Sequence, residues 1–168
     1  MSIITIQDTW RVSADREARK PHNVAYQSSY ENMYIGLLAE IAVIHYLQQL
    51  ADISVEWLSP NSQQRTALGG HRADLRWNGL ELDVKLIGKN QDTIKIKKNA
   101  EQFHHVFVEW HTRLDSFKVL GVLLPHAPET FQPPVALERH FNRVTGAVFG
   151  WLIPRSRLQP LRTLLEAA

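Results

Sequence analysis

The sequence predicts one α/β domain in which a central mixed β-sheet is flanked by α-helices. Three observations carry this expectation. Residues Tyr30 to Leu50 repeat apolar side chains at helical spacing, Asn78-Gly79 separates two runs of alternating polarity, and strand-like and helix-like segments then follow to the C-terminus. That order suits a mixed sheet with helices packed on it. A length of 168 residues fits a single core, and 44% hydrophobic with 21% charged residues excludes a fully disordered chain. The domain is therefore expected to span 1–168, with its core at about 30–154.

Ile3 to Ile6 read as a short strand, followed by a polar, charged stretch up to Pro21. In the helix after Tyr30, Leu37, Ile41 and Ile44 mark a buried face with Leu38 and His45 beside it, and the helix should stop near Asp52. ISVEWL at 53–58 is strand-like, and Pro60 with Gly69-Gly70 marks a loop. RADLRW and LELDVKLI around Asn78-Gly79 predict a β-hairpin with a two-residue turn. Then come a Lys-rich strand or loop (TIKIKK), a short helix around Asn99 to His104, and the strands HVFVEW and FKVLGVLL. A Pro-rich loop from Pro125 to Pro134, a short helix near Leu137 to Asn142, the strand GAVFGWLI and a helix after Pro160 complete the expectation.

The absence of cysteine excludes disulfides, cysteine nucleophiles and thiolate zinc sites. MSIITIQDTW lacks the basic-then-apolar form of a signal peptide, and YIGLLAEIAVIHYL is short for a bilayer span and carries Glu40. A soluble, cytoplasmic protein with no membrane partner is expected. Net charge is only +2, but it is unevenly spread. Lys85, Lys89, Lys95, Lys97 and Lys98 share their stretch with one acid, Asp92, and the five arginines from Arg139 to Arg162 share theirs with none. Such stretches can track phosphates or can be ordinary solvated faces.

The hairpin concentrates the chemistry. In LELDVKL, alternation sends Leu80, Leu82, Val84 and Leu86 to one face and Glu81, Asp83 and Lys85 to the other. A two-residue turn pairs Trp77 with Leu80, Arg76 with Glu81, Leu75 with Leu82 and Asp74 with Asp83. Opposed carboxylates repel, so the last pair calls for a raised pKa or a cation. A hard divalent cation with oxygen ligands would meet that need, with Lys85 beside it to steady phosphate charge; a solvated amphipathic hairpin is the other reading. Glu40 is the only formally charged residue from Asn32 to Ala51. It must be exposed at the helix edge, paired, or bound to a cation.

Asp74 followed by Asp83-Val84-Lys85 on the next strand resembles the PD-(D/E)XK nuclease superfamily, with its acid and acid-x-Lys triplet on a central hairpin. The resemblance covers about Tyr30 to Trp110 and implies a restriction-endonuclease-like core of helix, hairpin, helix and strand. GWLIPRSRLQPL looks like the strand-and-helix ending of several members, and Glu40 fits the helix glutamate the family usually adds. Gln102 lies where some resolvase-like and exonuclease-like members carry a glutamine, although a solvated helix glutamine reads as well. Ala73 replaces the name-giving proline, and Asp83 the commoner glutamate.

The resemblance implies a metal-dependent DNA endonuclease that leaves a 5′-phosphate. Asp74, Asp83 and Glu40 would bind one or two Mg²⁺ ions, with Mn²⁺ as a substitute, and Lys85 would assist the nucleophile or the charge. Lys89, Lys95, Lys97, Lys98, Gln102, Arg143, Arg155 and Arg157 would hold the DNA backbone without reading sequence. Cutting both strands with one site per chain implies a homodimer. A non-catalytic nucleic-acid-binding or assembly module and an RNA-directed nuclease are the alternatives. The eight histidines form no H-E-x-x-H or comparable spacing; His45 is expected in the core, and His71 in a loop.

Overall fold

The computed structural model describes residues 2–20, 30–59, 73–98, 100–131, 133–137 and 149–167. Two sheets and three helices build the fold among them. The chain runs β1 (Ser2–Thr5), α1 (Asp8–Ala18), α2 (Tyr30–Leu50), β2 (Val55–Trp57), β3 (Leu75–Trp77), β4 (Leu80–Ile87), β5 (Thr93–Lys97), β6 (His104–Thr112) and β7 (Ser116–Leu123). It continues through a 3₁₀ turn at Ala127–Thr130, β8 (Val135–Ala136), β9 (Phe149–Pro154), a second 3₁₀ turn at Arg155–Arg157 and α3 (Thr163–Ala167). The larger sheet has the order β1-β7-β6-β4-β3-β2 and is antiparallel except for the parallel pair β4 and β6. The smaller sheet is β5-β9-β8.

Each face of the larger sheet buries its own apolar cluster. Leu75, Trp77, Leu82, Val106, Val108, Phe117 and Val119 pack with α1 and α2 and with Leu161 and Leu164 near the C-terminus. On the other face, Ile87, Phe107 and Leu123 meet Ile94, Ile96, Trp151 and Ile153 of the smaller sheet. The central sheet is therefore covered by helices on one side and by a second sheet on the other. The helical core reaches beyond 30–154, since Ile6, Trp10, Ala14, Ala18, Leu161 and Leu164 belong to it.

α2 forms where the periodicity placed it, but its burial is wider than one stripe. Every residue from Leu37 to Val43 is buried, whereas Ile44 and His45 are only half-buried. Among the described residues α2 is the one helix long and apolar enough to cross a membrane, and 44% of its most apolar window is buried inside the protein.

The structure corrects three expectations. α1 forms within the stretch read as merely polar, because Trp10, Ala14 and Ala18 recur every four residues and are buried against α2. Among the described residues of 99–104 the expected helix is absent: Ala100 to Phe103 form a turn, with the Phe103 N–H donating to the Ala100 carbonyl at 3.2 Å, and β6 starts at His104. β5 and this turn make the crossover between β4 and β6, anchored by buried Ile94, Ile96, Ala100 and Phe103. A strand, β8, lies beyond the Pro-rich loop. The short helix expected near Leu137 to Asn142 falls largely outside the described residues, as does the loop containing His71.

Candidate functional site

The hairpin register is the one its turn demands. Asn78 (φ 48°) and Gly79 (φ 77°) both adopt the left-handed conformation of a two-residue hairpin turn. Trp77 then pairs with Leu80, Arg76 with Glu81 and Leu75 with Leu82. Registers with β2 and β6 extend one row across four strands: Trp57, Leu75, Leu82 and His104. In the next row His105 lies beside Asp83.

Asp74 departs from this ladder. Its N–H donates to the Leu82 carbonyl and its own carbonyl accepts from the Leu58 N–H, both at 2.8 Å. Its carboxylate turns back along β4, where Oδ2 accepts from the Val84 N–H at 2.8 Å, while the Ser59 hydroxyl stands 3.5 Å from Oδ1. The expected strand pair of Asp74 with Asp83 is thus replaced by a side-chain bond to the residue between Asp83 and Lys85. Neutral donors on Asp74 remove much of the charge conflict that opposed carboxylates would create.

Asp83 and Lys85 share a face as alternation requires, but the face is covered. Asp83 is 1% exposed, between Lys85 and His105, whereas Glu81 at the sheet's end is exposed. Lys85 Nζ lies 2.8 Å from both Asp83 oxygens, with about a third of its own side chain exposed. His105, fully buried, brings Nδ1 to 3.0 Å from Asp83 Oδ2. That contact is short enough for an ion pair but is not aligned as a hydrogen bond. The other ring nitrogen, Nε2, is 2.8 Å from the Ala100 carbonyl. A carbonyl only accepts, so Nε2 carries the hydrogen there.

Glu40 does not lie at an exposed helix edge. It is buried in the middle of α2, and its Oε2 accepts from the Trp57 indole N–H at 2.7 Å. Among the described residues, no group of three or more histidine and acidic side chains is arranged to hold a metal ion. What the site offers a cation is Asp74 and Asp83, two carboxylates brought to one stretch of β4. A cation held there would need to be one that, like Mg²⁺, takes one or two protein carboxylates and keeps much of its water. His105, Trp57 and Ser59 escaped the sequence reading, and no spacing rule could have found His105, whose neighbour Asp83 lies on a different strand.

The basic residues divide into two kinds. Lys95 and Lys97 project from the exposed face of β5, alternating with buried Ile94 and Ile96, and Lys89 and Lys98 are exposed nearby in sequence. Gln102 is exposed too, but on the turn rather than on a helix. Arg155 instead reaches inward: its Nη1 lies 2.9 Å from Oε2 of buried Glu109, and Lys118 stands 3.5 Å from Oε1. Burial pushes the Glu109 carboxyl up, but the Arg155 and Lys118 contacts together outweigh it and hold it below the ordinary glutamate value. Arg157 lies over the Phe131 ring at 5.2 Å, and Arg143 lies outside the described residues. Burial lowers the pKa of His104, with the adjacent His105 adding to that shift and a backbone hydrogen bond to Glu81 opposing it.

No protein-family model, curated protein or solved structure matches the chain.

Proposed function

We propose that the protein is a metal-dependent endodeoxyribonuclease that hydrolyses phosphodiester bonds in the manner of the PD-(D/E)XK nucleases, on a restriction-endonuclease-like core. One observation carries the reading: the Asp74 carboxylate is bonded to the Val84 N–H, between Asp83 and Lys85. An acid just before β3 and an acid-x-Lys triplet in β4 thereby meet at one place. The succession α2, β2, β3, β4 and β6 supports the same core, although β5 and a turn stand where a helix was expected.

Asp74 and Asp83 would hold Mg²⁺ or Mn²⁺. The ion would supply Lewis acidity toward the phosphate and a more acidic water. Lys85, whose ammonium is held by both Asp83 oxygens, presents it to charge growing on the phosphate or orients the attacking water. The Val84 N–H fixes the Asp74 carboxylate, and Trp57 fixes that of Glu40. Exposed Lys89, Lys95, Lys97 and Lys98 hold the DNA backbone without reading its sequence. A homodimer would place a second copy of this site on the opposite strand.

The test is plasmid nicking with Mg²⁺, Mn²⁺ and EDTA beside Asp83→Asn and Lys85→Ala. Metal-dependent nicking that both variants lose, with DNA binding retained, is expected; EDTA-insensitive nicking, or nicking that Asp83→Asn retains, refutes the reading. Sedimentation of a monomer both free and on DNA would refute the homodimer. A second reading is a nucleic-acid-binding module without turnover, favoured by one fact: the Lys85 ammonium and the His105 ring already crowd the Asp83 carboxylate. That module would bind with salt-sensitive, metal-independent affinity and cut nothing. Cleavage of RNA alone would move the substrate and keep the chemistry.

A further inference from the structure

Between a backbone carbonyl in the core and the ammonium at the protein surface runs a continuous chain of polar groups: Ala100 carbonyl, His105, Asp83, Lys85. Exposure rises along it, from 0% at His105 through 1% at Asp83 to 35% for the Lys85 side chain. We propose that His105 is a positioning residue for Lys85, acting through Asp83: pinned at Nε2 by Ala100, its ring sets the orientation of the Asp83 carboxylate, which in turn sets where Lys85 stands. The inference rests on the nuclease reading for its catalytic consequence and on geometry alone for the placement of Lys85.

Three features support it. Parallel pairing of β4 with β6 puts His105 directly beside Asp83, so the two side chains leave the sheet on the same face. The ring cannot turn freely, because it is fully buried and Nε2 is committed to a carbonyl that also accepts from the Phe103 N–H. Finally, Nδ1 stands against Oδ2 while Lys85 reaches both oxygens, so His105 limits the carboxylate from the interior side and leaves Oδ1 toward Lys85. A residue needed only to fill space would be apolar here, like its neighbour Phe107. Groups that orient a functional carboxylate from behind commonly change activity by about 10–100-fold when removed.

Two substitutions separate the contacts of the ring. Asparagine keeps a polar amide near the place of Nδ1, on the Asp83 side; glutamine keeps one near the place of Nε2, on the Ala100 side. Under the proposal His105→Gln folds but loses about 10–100-fold in kcat with little change in KM. His105→Asn keeps most of kcat despite a lower melting temperature. The opposite order, or equal kcat in the two variants, overturns the proposal and leaves His105 a structural anchor.

A readout independent of cutting is the ¹³C resonance of reductively dimethylated Lys85, assigned with Lys85→Arg. It should move in His105→Gln and stay near its wild-type position in His105→Asn; an unmoved resonance in both overturns the proposal. Should wild-type protein cut nothing, the nuclease reading fails while this spectrum still decides the placement. Should neither variant fold, the wild-type ring decides: ¹⁵N NMR is expected to find Nε2 protonated and slow to exchange, and an unprotonated Nε2 removes the Ala100 anchor and overturns the proposal.

Discussion

The Asp74 carboxylate accepts a hydrogen bond from the Val84 N–H at 2.8 Å, so a side chain replaces the strand pairing at the edge of the hairpin. Asp74 is 8% exposed and ties a half-buried backbone donor to the proposed chemistry in one bond. Asparagine keeps an acceptor for that donor, and alanine does not. Asp74→Ala is expected to lose about 1–3 kcal/mol of stability in urea unfolding, and Asp74→Asn clearly less. Both should lose DNA cutting, because neither supplies a carboxylate. Equal stability in the two variants would show that the bond to Val84 does not hold the site together.

Arg155 and Glu109 join the end of the smaller sheet to the larger one. Because the Glu109 carboxyl lies below its ordinary value when folded, the unfolded chain takes up its proton first as pH falls. The stability it contributes is complete above the ordinary glutamate value and is lost as pH drops through the lowered one. Arg155→Met leaves Lys118 as the nearby cation and removes part of this contribution. A loss of about 2 kcal/mol at pH 7 and a flatter acid limb in denaturation curves are expected. Unchanged DNA affinity in this variant would fit the inward role of Arg155 rather than the backbone contact read from sequence.

His45 stacks on Trp10 with ring centroids 4.2 Å apart, and burial lowers its pKa. The sign is opposite to that of a histidine stabilised by an acid. As pH falls below about 6.5 the unfolded chain binds a proton that folded His45 resists, so stability declines until the lower folded value is passed. Thermal unfolding between pH 5 and 7.5 should show this slope. His45→Phe keeps the stack and should flatten it, with His104, lowered chiefly by burial as well, supplying what remains.

Gly150 sits in the central strand of the smaller sheet, paired with Lys97 on one side and Val135 on the other. A Cβ there would run into the Ile96 carbonyl and come within 2.8 Å of a Leu137 methyl. Gly150→Ala is therefore expected to destabilise by about 1–3 kcal/mol and to loosen β5, which carries Lys95 and Lys97. Chemical denaturation together with hydrogen exchange at Ile94 and Ile96 measures both effects.

The elements legible in the sequence are those governed by near neighbours. Asn78-Gly79 imposes its turn conformation locally, so the pairing from Trp77–Leu80 to Leu75–Leu82 follows from counting. α2 was equally legible because its apolar pattern spans the whole helix. α1 was legible in principle, from Trp10, Ala14 and Ala18, but its many charges obscure that stripe.

What the chain alone determined is thus the hairpin, the helix carrying Glu40, and the gathering of Asp74, Asp83 and Lys85 in the hairpin segment. Only the tertiary structure decided that Asp74 leaves the ladder for Val84, that Glu40 meets Trp57, and that Asp83 is buried beside His105. The physical reason is sequence distance. Alternation fixes which face a side chain takes, but what covers that face depends on the parallel pairing of β4 with β6 and on a second sheet assembled from β5, β8 and β9. No local pattern encodes those contacts, and they turn a surface charge into a buried one.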